Sequence, residues 1–183
     1  MPRHNKQKNR TQKIALGGVL SAASVAVLFL GGIFPLSTFM APILAGLMLL
    51  PIFIECGTRI AVVAYFAVSA LALLFVPDRE VSLLFVVLAG YYPILQPVFF
   101  KIKSIILRYI VKLVCFNLAA VATYAVLLYI FVSPAVQQEF ASSTPILLLL
   151  FAVIANITFI LYDMLIDRLR IIYHYRIYNR FFR

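Results

Sequence analysis

Residues 14–36 read IALGGVLSAASVAVLFLGGIFPL, a run of 23 positions without a charged side chain. A helix that crosses a bilayer needs about 20 mostly apolar residues, so this run predicts a membrane span. The basic stretch MPRHNKQKNRTQK precedes it, and no small-residue cleavage site follows. We therefore expect a span that is retained in the protein and not a signal peptide that is removed.

The composition of the whole chain agrees with a membrane location. The 183 residues are 64% hydrophobic and 12% charged, whereas a soluble domain is roughly half apolar and about a quarter charged. In lipid, each span has to satisfy its own backbone hydrogen bonds, and helices do so. The predicted fold class is therefore an all-α integral membrane protein.

Proline, glycine and charged residues divide the chain into six apolar segments. They cover residues 14–36, 38–54, 59–76, 81–100, 105–132 and 145–166. Five prolines are expected to interrupt or end these helices, namely Pro35, Pro42, Pro51, Pro93 and Pro97. The prediction is a six-transmembrane-helix bundle over residues 14–167, between a basic tail at 1–13 and a basic, aromatic tail at 168–183.

The positions of lysine and arginine predict the orientation, because short basic loops stay cytoplasmic. Six spans with a cytoplasmic amino terminus leave only Arg79 on the outer side. Both termini are thus predicted to be cytoplasmic, in a multi-pass protein of the cell membrane. The net charge of +10 lies in the tails and at helix ends, where anionic lipid explains it better than nucleic acid does.

The first span has a row of small residues, Gly18, Ala22 and Ala26, at four-residue spacing. Such a row lets another helix backbone approach closely. One interpretation is packing inside the bundle. The other is a docking face for a different subunit.

Ionisable residues inside spans are costly and are candidates for function. Arg108 and Lys112 lie near the cytoplasmic boundary and are expected to extend their charged ends towards it. Asp163 and Asp167 are predicted to pair with Arg170, Lys112 or Arg108 and so to fasten the last two helices. A proton relay is the alternative.

Polar groups deeper in the membrane are the ligand-binding candidates, because a pocket needs a few polar groups among apolar walls. They are Tyr91, Tyr92, Asn117, Tyr124 and Asn156. For the two asparagines, a hydrogen bond between neighbouring spans is the alternative.

Sequence signatures of catalysis are missing. The chain has no HExxH, GxSxG or phosphate-loop motif, and both histidines lie in the tails. Cys56 and Cys115 lack metal-ligand spacing and are interpreted as small packing residues. We predict no enzyme activity, no catalytic residue, no cofactor and no metal, so an ATP-driven process would need a partner ATPase.

The first helix, ALGGVLSAASVA after a basic tail, together with six spans and short loops, resembles the substrate-binding S components of energy-coupling factor (ECF) transporters. The resemblance implies capture of a small nutrient such as a vitamin. It also implies that Gly18, Ala22 and Ala26 dock on a transmembrane coupling subunit that works with ATPases. The ligand-contact residues of that family have no recognisable counterparts here. The alternative function is a structural or scaffolding membrane protein whose basic tails recruit cytoplasmic partners.

Overall fold

The computed structural model describes residues 3–34, 37–131, 136–138 and 143–173. Within these ranges the regular structure is helical, and no strand occurs. The helices are α1 Arg3–Gly31, α2 Met40–Cys56, α3 Thr58–Phe75, α4 Arg79–Leu84, α5 Tyr92–Phe99, α6 Ile105–Tyr129 and α7 Pro145–Tyr173, with a π-helical segment at Phe85–Ala89 between α4 and α5.

Five helical stretches are long and apolar enough to cross a membrane. They are Thr11–Gly31, Thr58–Phe75, Arg79–Phe99, Ile105–Tyr129 and Pro145–Tyr173. Helix α2 is also apolar but has 17 residues, fewer than the roughly 20 of a full crossing. An all-helical membrane protein is thereby confirmed, while the sixth crossing and the orientation of the termini stay predictions.

Two helices extend beyond the apolar segments that were used to predict them. Helix α1 begins at Arg3 and not at residue 14, and α7 continues from residue 166 to Tyr173. The added stretches, RHNKQKNRTQK and DRLRIIY, contain no glycine or proline and are rich in good helix formers. Hydropathy predicts which part of a helix suits lipid and does not define where the helix itself ends.

The prediction that the prolines interrupt or end helices is wrong for two of them. Pro51 lies inside α2 and Pro97 inside α5, because membrane helices re-satisfy the backbone groups that proline frees. Pro42 is the third residue of α2, where amide groups lack an intrahelical acceptor in any case. Pro93 follows the π segment, close to the start of α5, and Pro35 lies outside the described residues.

The chain divides into two compact units, Met1–Pro97 and Val98–Arg183. In the first unit, α1 packs against α2 and α3. The buried faces of α2 and α3 are rich in alanine, which allows close approach of the helix axes. Residues at the centre of this core are Ala41, Ala45, Leu49, Ile52, Ala61, Ala64, Val68 and Ala72.

Helix α1 contacts α2 through small side chains. The buried Ser24 hydroxyl lies 2.9 Å from the Leu20 carbonyl of its own helix and 3.3 Å from the Ala45 carbonyl of α2. Near the end of α1, a β-carbon added to Gly31 would overlap the Ala41 side chain. A β-carbon added to Gly18 would meet no atom within 4 Å. The two glycines therefore lie in opposite packing environments on one helix.

We expect Gly31→Ala to destabilise the first unit, because the added methyl group displaces α2. The expected loss of unfolding free energy is about 1–3 kcal/mol, measured by thermal or denaturant unfolding of the protein in detergent. Gly18→Ala is the matched control and should not lower the unfolding transition, because the added methyl group meets no neighbour and alanine favours a helix. Equal effects of the two substitutions would contradict the contact between α1 and α2.

Candidate functional site

A buried ion pair joins α6 to α7 in the second unit. The Lys112 ammonium nitrogen lies 2.8 Å and 2.7 Å from the two carboxylate oxygens of Asp163. Their side chains are only 3% and 2% exposed. This arrangement confirms the predicted fastening of the last two helices, with Lys112 as the partner of Asp163.

The expectation that Lys112 extends its charge to the membrane boundary is wrong. Lys112 turns inward because a carboxylate on α7 is within reach, and pairing removes the cost of leaving that carboxylate alone in an apolar interior. Its ammonium nitrogen also lies 5.3 Å from the centroid of the Phe100 ring and 5.5 Å from that of the Tyr109 ring. Aromatic faces at such distances attract a cation. Arg108 is half-buried and lies over the same Phe100 ring at 5.1 Å.

Asp167 and Arg170 belong to the same charged region. Asp167 is close enough to Lys112, Arg108 and Arg170 for their charges to interact. Two carboxylates and three basic groups therefore share one end of the α6–α7 pair. This arrangement supplies a structural role for Asp163. It leaves the proton relay as an untested alternative.

Two further contacts continue along the same pair of helices. One turn beyond the ion pair, the rings of Phe116 and Phe159 stack with their centroids 4.4 Å apart and 15° between their planes. Next, the Asn117 amide donates to the Asn156 side-chain oxygen at 2.8 Å, and the Asn156 amide donates back at 3.1 Å. From one contact to the next, the residue numbers rise along α6 and fall along α7. The two helices are therefore antiparallel.

The predicted hydrogen bond between Asn117 and Asn156 is confirmed. Each amide also donates to a carbonyl of its own helix, that of Leu113 or Ala152. Both hydrogens of each amide are therefore used. The side-chain oxygens keep one acceptor position each, so a ligand that bound here would have to donate a hydrogen bond.

The remaining ligand candidates lie elsewhere. Tyr124 is half-buried on α6, two turns beyond Asn117. Tyr91 and Tyr92 belong to the first unit, at the break between the π segment and α5. Tyr92 is buried, and the Tyr91 ring meets the Tyr65 ring edge-on at 6.5 Å. The structure brings Asn117 and Asn156 into contact, and the role of the set in ligand binding stays a prediction.

The helix break in the first unit contains a contact that sequence reasoning missed. The Gly90 amide donates to the Phe85 carbonyl at 2.7 Å, five residues back, so the Val86 carbonyl loses its usual donor. The Tyr65 hydroxyl of α3 donates to that carbonyl at 2.7 Å. Gly90 is suited to this turn because a β-carbon there would lie 2.9 Å from the Phe85 carbonyl oxygen. Pro93 indicates a disturbed helix in the sequence, but nothing there singles out Tyr65.

The surface of α6 beside Asn117 has a shallow depression of about 390 Å³. Its lining comes from one stripe of α6, and Asn117 is the polar member among Ile110, Leu113, Val114, Leu118 and Val121. Cys115 is exposed on the same helix, so its interpretation as a packing residue inside the chain is wrong. Cys56 is partly buried, and its thiol contacts the Lys13 carbonyl at 3.2 Å.

The predicted docking residues form an exposed row on α1. Gly18, Ala22 and Ala26 are all exposed, whereas Gly17, Ser24 and Leu28 are buried on the opposite side of α1, facing its own unit. Packing within the first unit thus uses a different row of α1. We call Gly18, Ala22 and Ala26 the outer row.

Comparisons with known proteins leave the family of the chain open. No protein-family model, curated protein or solved structure matches the chain.

We expect Lys112→Met to destabilise the protein strongly, because the buried Asp163 then loses the ammonium group that lies 2.7 Å from its carboxylate. Removing one partner of a buried pair costs about 3–5 kcal/mol, measurable as a lower unfolding midpoint in detergent or nanodiscs. The double substitution Lys112→Met with Asp163→Leu should recover most of this loss. Lys13→Met removes an exposed lysine of the first unit and serves as the control. Equal unfolding of the Lys112 and Lys13 variants would contradict the structural role of the pair.

Proposed function

We propose that the chain is a non-catalytic, substrate-binding membrane subunit of a transporter. In this proposal, the outer row of α1 docks on a transmembrane coupling subunit that is driven by separate ATPases. The proposal follows the resemblance to S components of ECF transporters. The observation that supports it is the exposure of Gly18, Ala22 and Ala26.

The outer row suits a helix partner better than it suits lipid alone. Lipid tails are as apolar as leucine, so a surface that faces lipid has no need of small side chains. Helix–helix contacts in membranes, in contrast, favour small side chains. Helix α7 illustrates the difference, because its exposed positions carry bulky residues such as Ile146, Leu149 and Phe151. The exposed positions of α1 have Val19 and Phe29 beside the outer row. A partner helix would pack into a groove that has small residues at its base and larger apolar residues at its edges.

A small nutrient would be bound through the polar candidates in the spans. Asn117 and Asn156 would offer their remaining acceptor positions to a ligand that carries N–H or O–H donors. Tyr124, two turns further along α6, would add a ring face to that site. Tyr91 and Tyr92 stay separate candidates in the first unit.

A scaffolding function is the second candidate, and the start of α1 favours it. The helix begins eight residues before the apolar stretch at Thr11, which extends it by about 12 Å beyond the span. That extension has the sequence RHNKQKNR, with four basic residues. A basic helix of this kind would attract an acidic cytoplasmic partner. Deleting residues 2–10 would then abolish recruitment of that partner.

The transporter proposal predicts that enlarging the outer row breaks a complex. Ala22→Leu with Ala26→Leu should reduce co-purification of a transmembrane coupling subunit and its ATPase pair from native membranes by about tenfold or more, because the bulky side chains separate the two helix backbones. The recovered subunits are identified by mass spectrometry. Unfolding of the isolated double variant should match that of the unmodified chain.

The matched control is Ala67→Leu with Ala70→Leu. These alanines are also exposed but lie on α3, so the complex should survive. Retention of the complex in the outer-row variant would refute docking through α1. A chain that yields no ATPase in any form, but loses a cytoplasmic partner on deletion of residues 2–10, would instead establish the scaffolding function.

A further inference from the structure

The turn between α5 and α6, residues 100–104, combines exposed positive charge with exposed apolar surface. We propose that this turn binds the phosphate of an anionic phospholipid headgroup. The proposal depends on the membrane location of the chain and not on its role in transport. Residues 100–104 are called the α5–α6 turn below.

The backbone of the α5–α6 turn is held in place by hydrogen bonds. The Lys101 amide donates to the Val98 carbonyl at 3.2 Å, and the Ile102 amide donates to that of Phe99 at 3.1 Å. Ser104 caps α6, because its hydroxyl accepts from the Leu107 amide at 3.4 Å. The position of the turn is thereby set by its own main chain, and the lysine side chains are not needed to build it.

Lys101 and Lys103 are both exposed. Neither takes part in an ion pair within the described residues. Their α-carbons are at most about 7 Å apart, since each residue spans no more than about 3.6 Å. Two ammonium groups on flexible stems can therefore reach a single phosphate.

The charge balance around the turn is one-sided. Between Glu80 and Glu139 the sequence contains four basic residues and no acidic one. Lys112 is neutralised by Asp163. Arg108 lies over the Phe100 ring at the edge of the turn, and Asp167 of α7 is near enough to offset its charge. Lys101 and Lys103 have no such carboxylate in an ion pair within the described residues. The α5–α6 turn thus has an excess of positive charge that an anion would balance.

Apolar residues surround these charges and identify the anion as a lipid. Exposed side chains next to the lysines are Val98, Phe100, Ile105, Ile106 and Tyr109, and Ile106 is 74% exposed. Such a surface belongs at the headgroup level, where apolar side chains enter the acyl region and basic groups meet phosphates. A tyrosine at this level is typical of the interface as well. Free phosphate would make no use of the apolar side chains around the lysines. A zwitterionic headgroup has no net charge and would leave the positive charge of the turn unbalanced.

The test compares lipid binding by the full chain and by a charge variant. The purified protein in mixed micelles is titrated with phosphatidylglycerol or phosphatidylcholine, and bound lipid is counted by native mass spectrometry. Phosphatidylglycerol should bind on the order of tenfold more tightly than phosphatidylcholine. Lys101→Gln with Lys103→Gln should remove most of that preference.

The matched control is Lys13→Gln with Arg59→Gln, which removes the same charge from exposed positions of the first unit. The control should keep the preference for phosphatidylglycerol. Equal losses in the two variants would overturn the proposal, because net charge alone would then explain binding. Displacement of the lipid by excess inorganic phosphate would also overturn it, since the turn would be a site for any phosphate ion.

Discussion

A polar group in the hydrocarbon of a membrane has no water to pair with, and this constraint explains the contacts of the structure. The most demanding case is the Lys112–Asp163 pair, where two charges are almost fully buried between α6 and α7. Further along the same two helices, the side chains of Asn117 and Asn156 hydrogen-bond to each other. In the first unit, the Tyr65 hydroxyl satisfies the carbonyl that the π segment releases. In each case, a partner within the chain replaces water.

Most of the helices and one of the polar contacts could be predicted from the sequence, because lipid permits few ways to satisfy backbone and side-chain polar groups. Apolar length predicts the helices, and a carboxylate and an amine in neighbouring spans predict an ion pair. The choice of Lys112 over Arg108 and Arg170 could not be predicted, because it depends on the rotation of α6 and α7 about their axes. The π segment at Phe85–Ala89 could not be predicted from the sequence either. Proline indicates that a helix is disturbed, but the form of the disturbance depends on which neighbour supplies a donor.

The functional proposals depend on surfaces that packing within the chain does not use. Helix α1 has small residues on two faces. One face packs against α2 and α3, while the outer row stays exposed. The α5–α6 turn keeps two lysines that its own main chain does not require. A small-residue row is suited to a protein partner, and basic residues among apolar ones are suited to a lipid headgroup. Asn117 and Asn156 already satisfy one another, so a ligand would reach only their remaining acceptor positions.

The most direct measurement of the central claim is the distance between the charges of Lys112 and Asp163 in a bilayer. Solid-state NMR of the protein in lipid, with ¹⁵N-labelled lysine and ¹³C-labelled aspartate, detects dipolar coupling between the Lys112 ammonium nitrogen and the Asp163 carboxyl carbon. Hydrogen bonds of 2.8 Å and 2.7 Å predict a strong coupling, which Asp163→Asn should weaken or abolish. No coupling in the unmodified protein, with Lys112 accessible to water, would contradict the account.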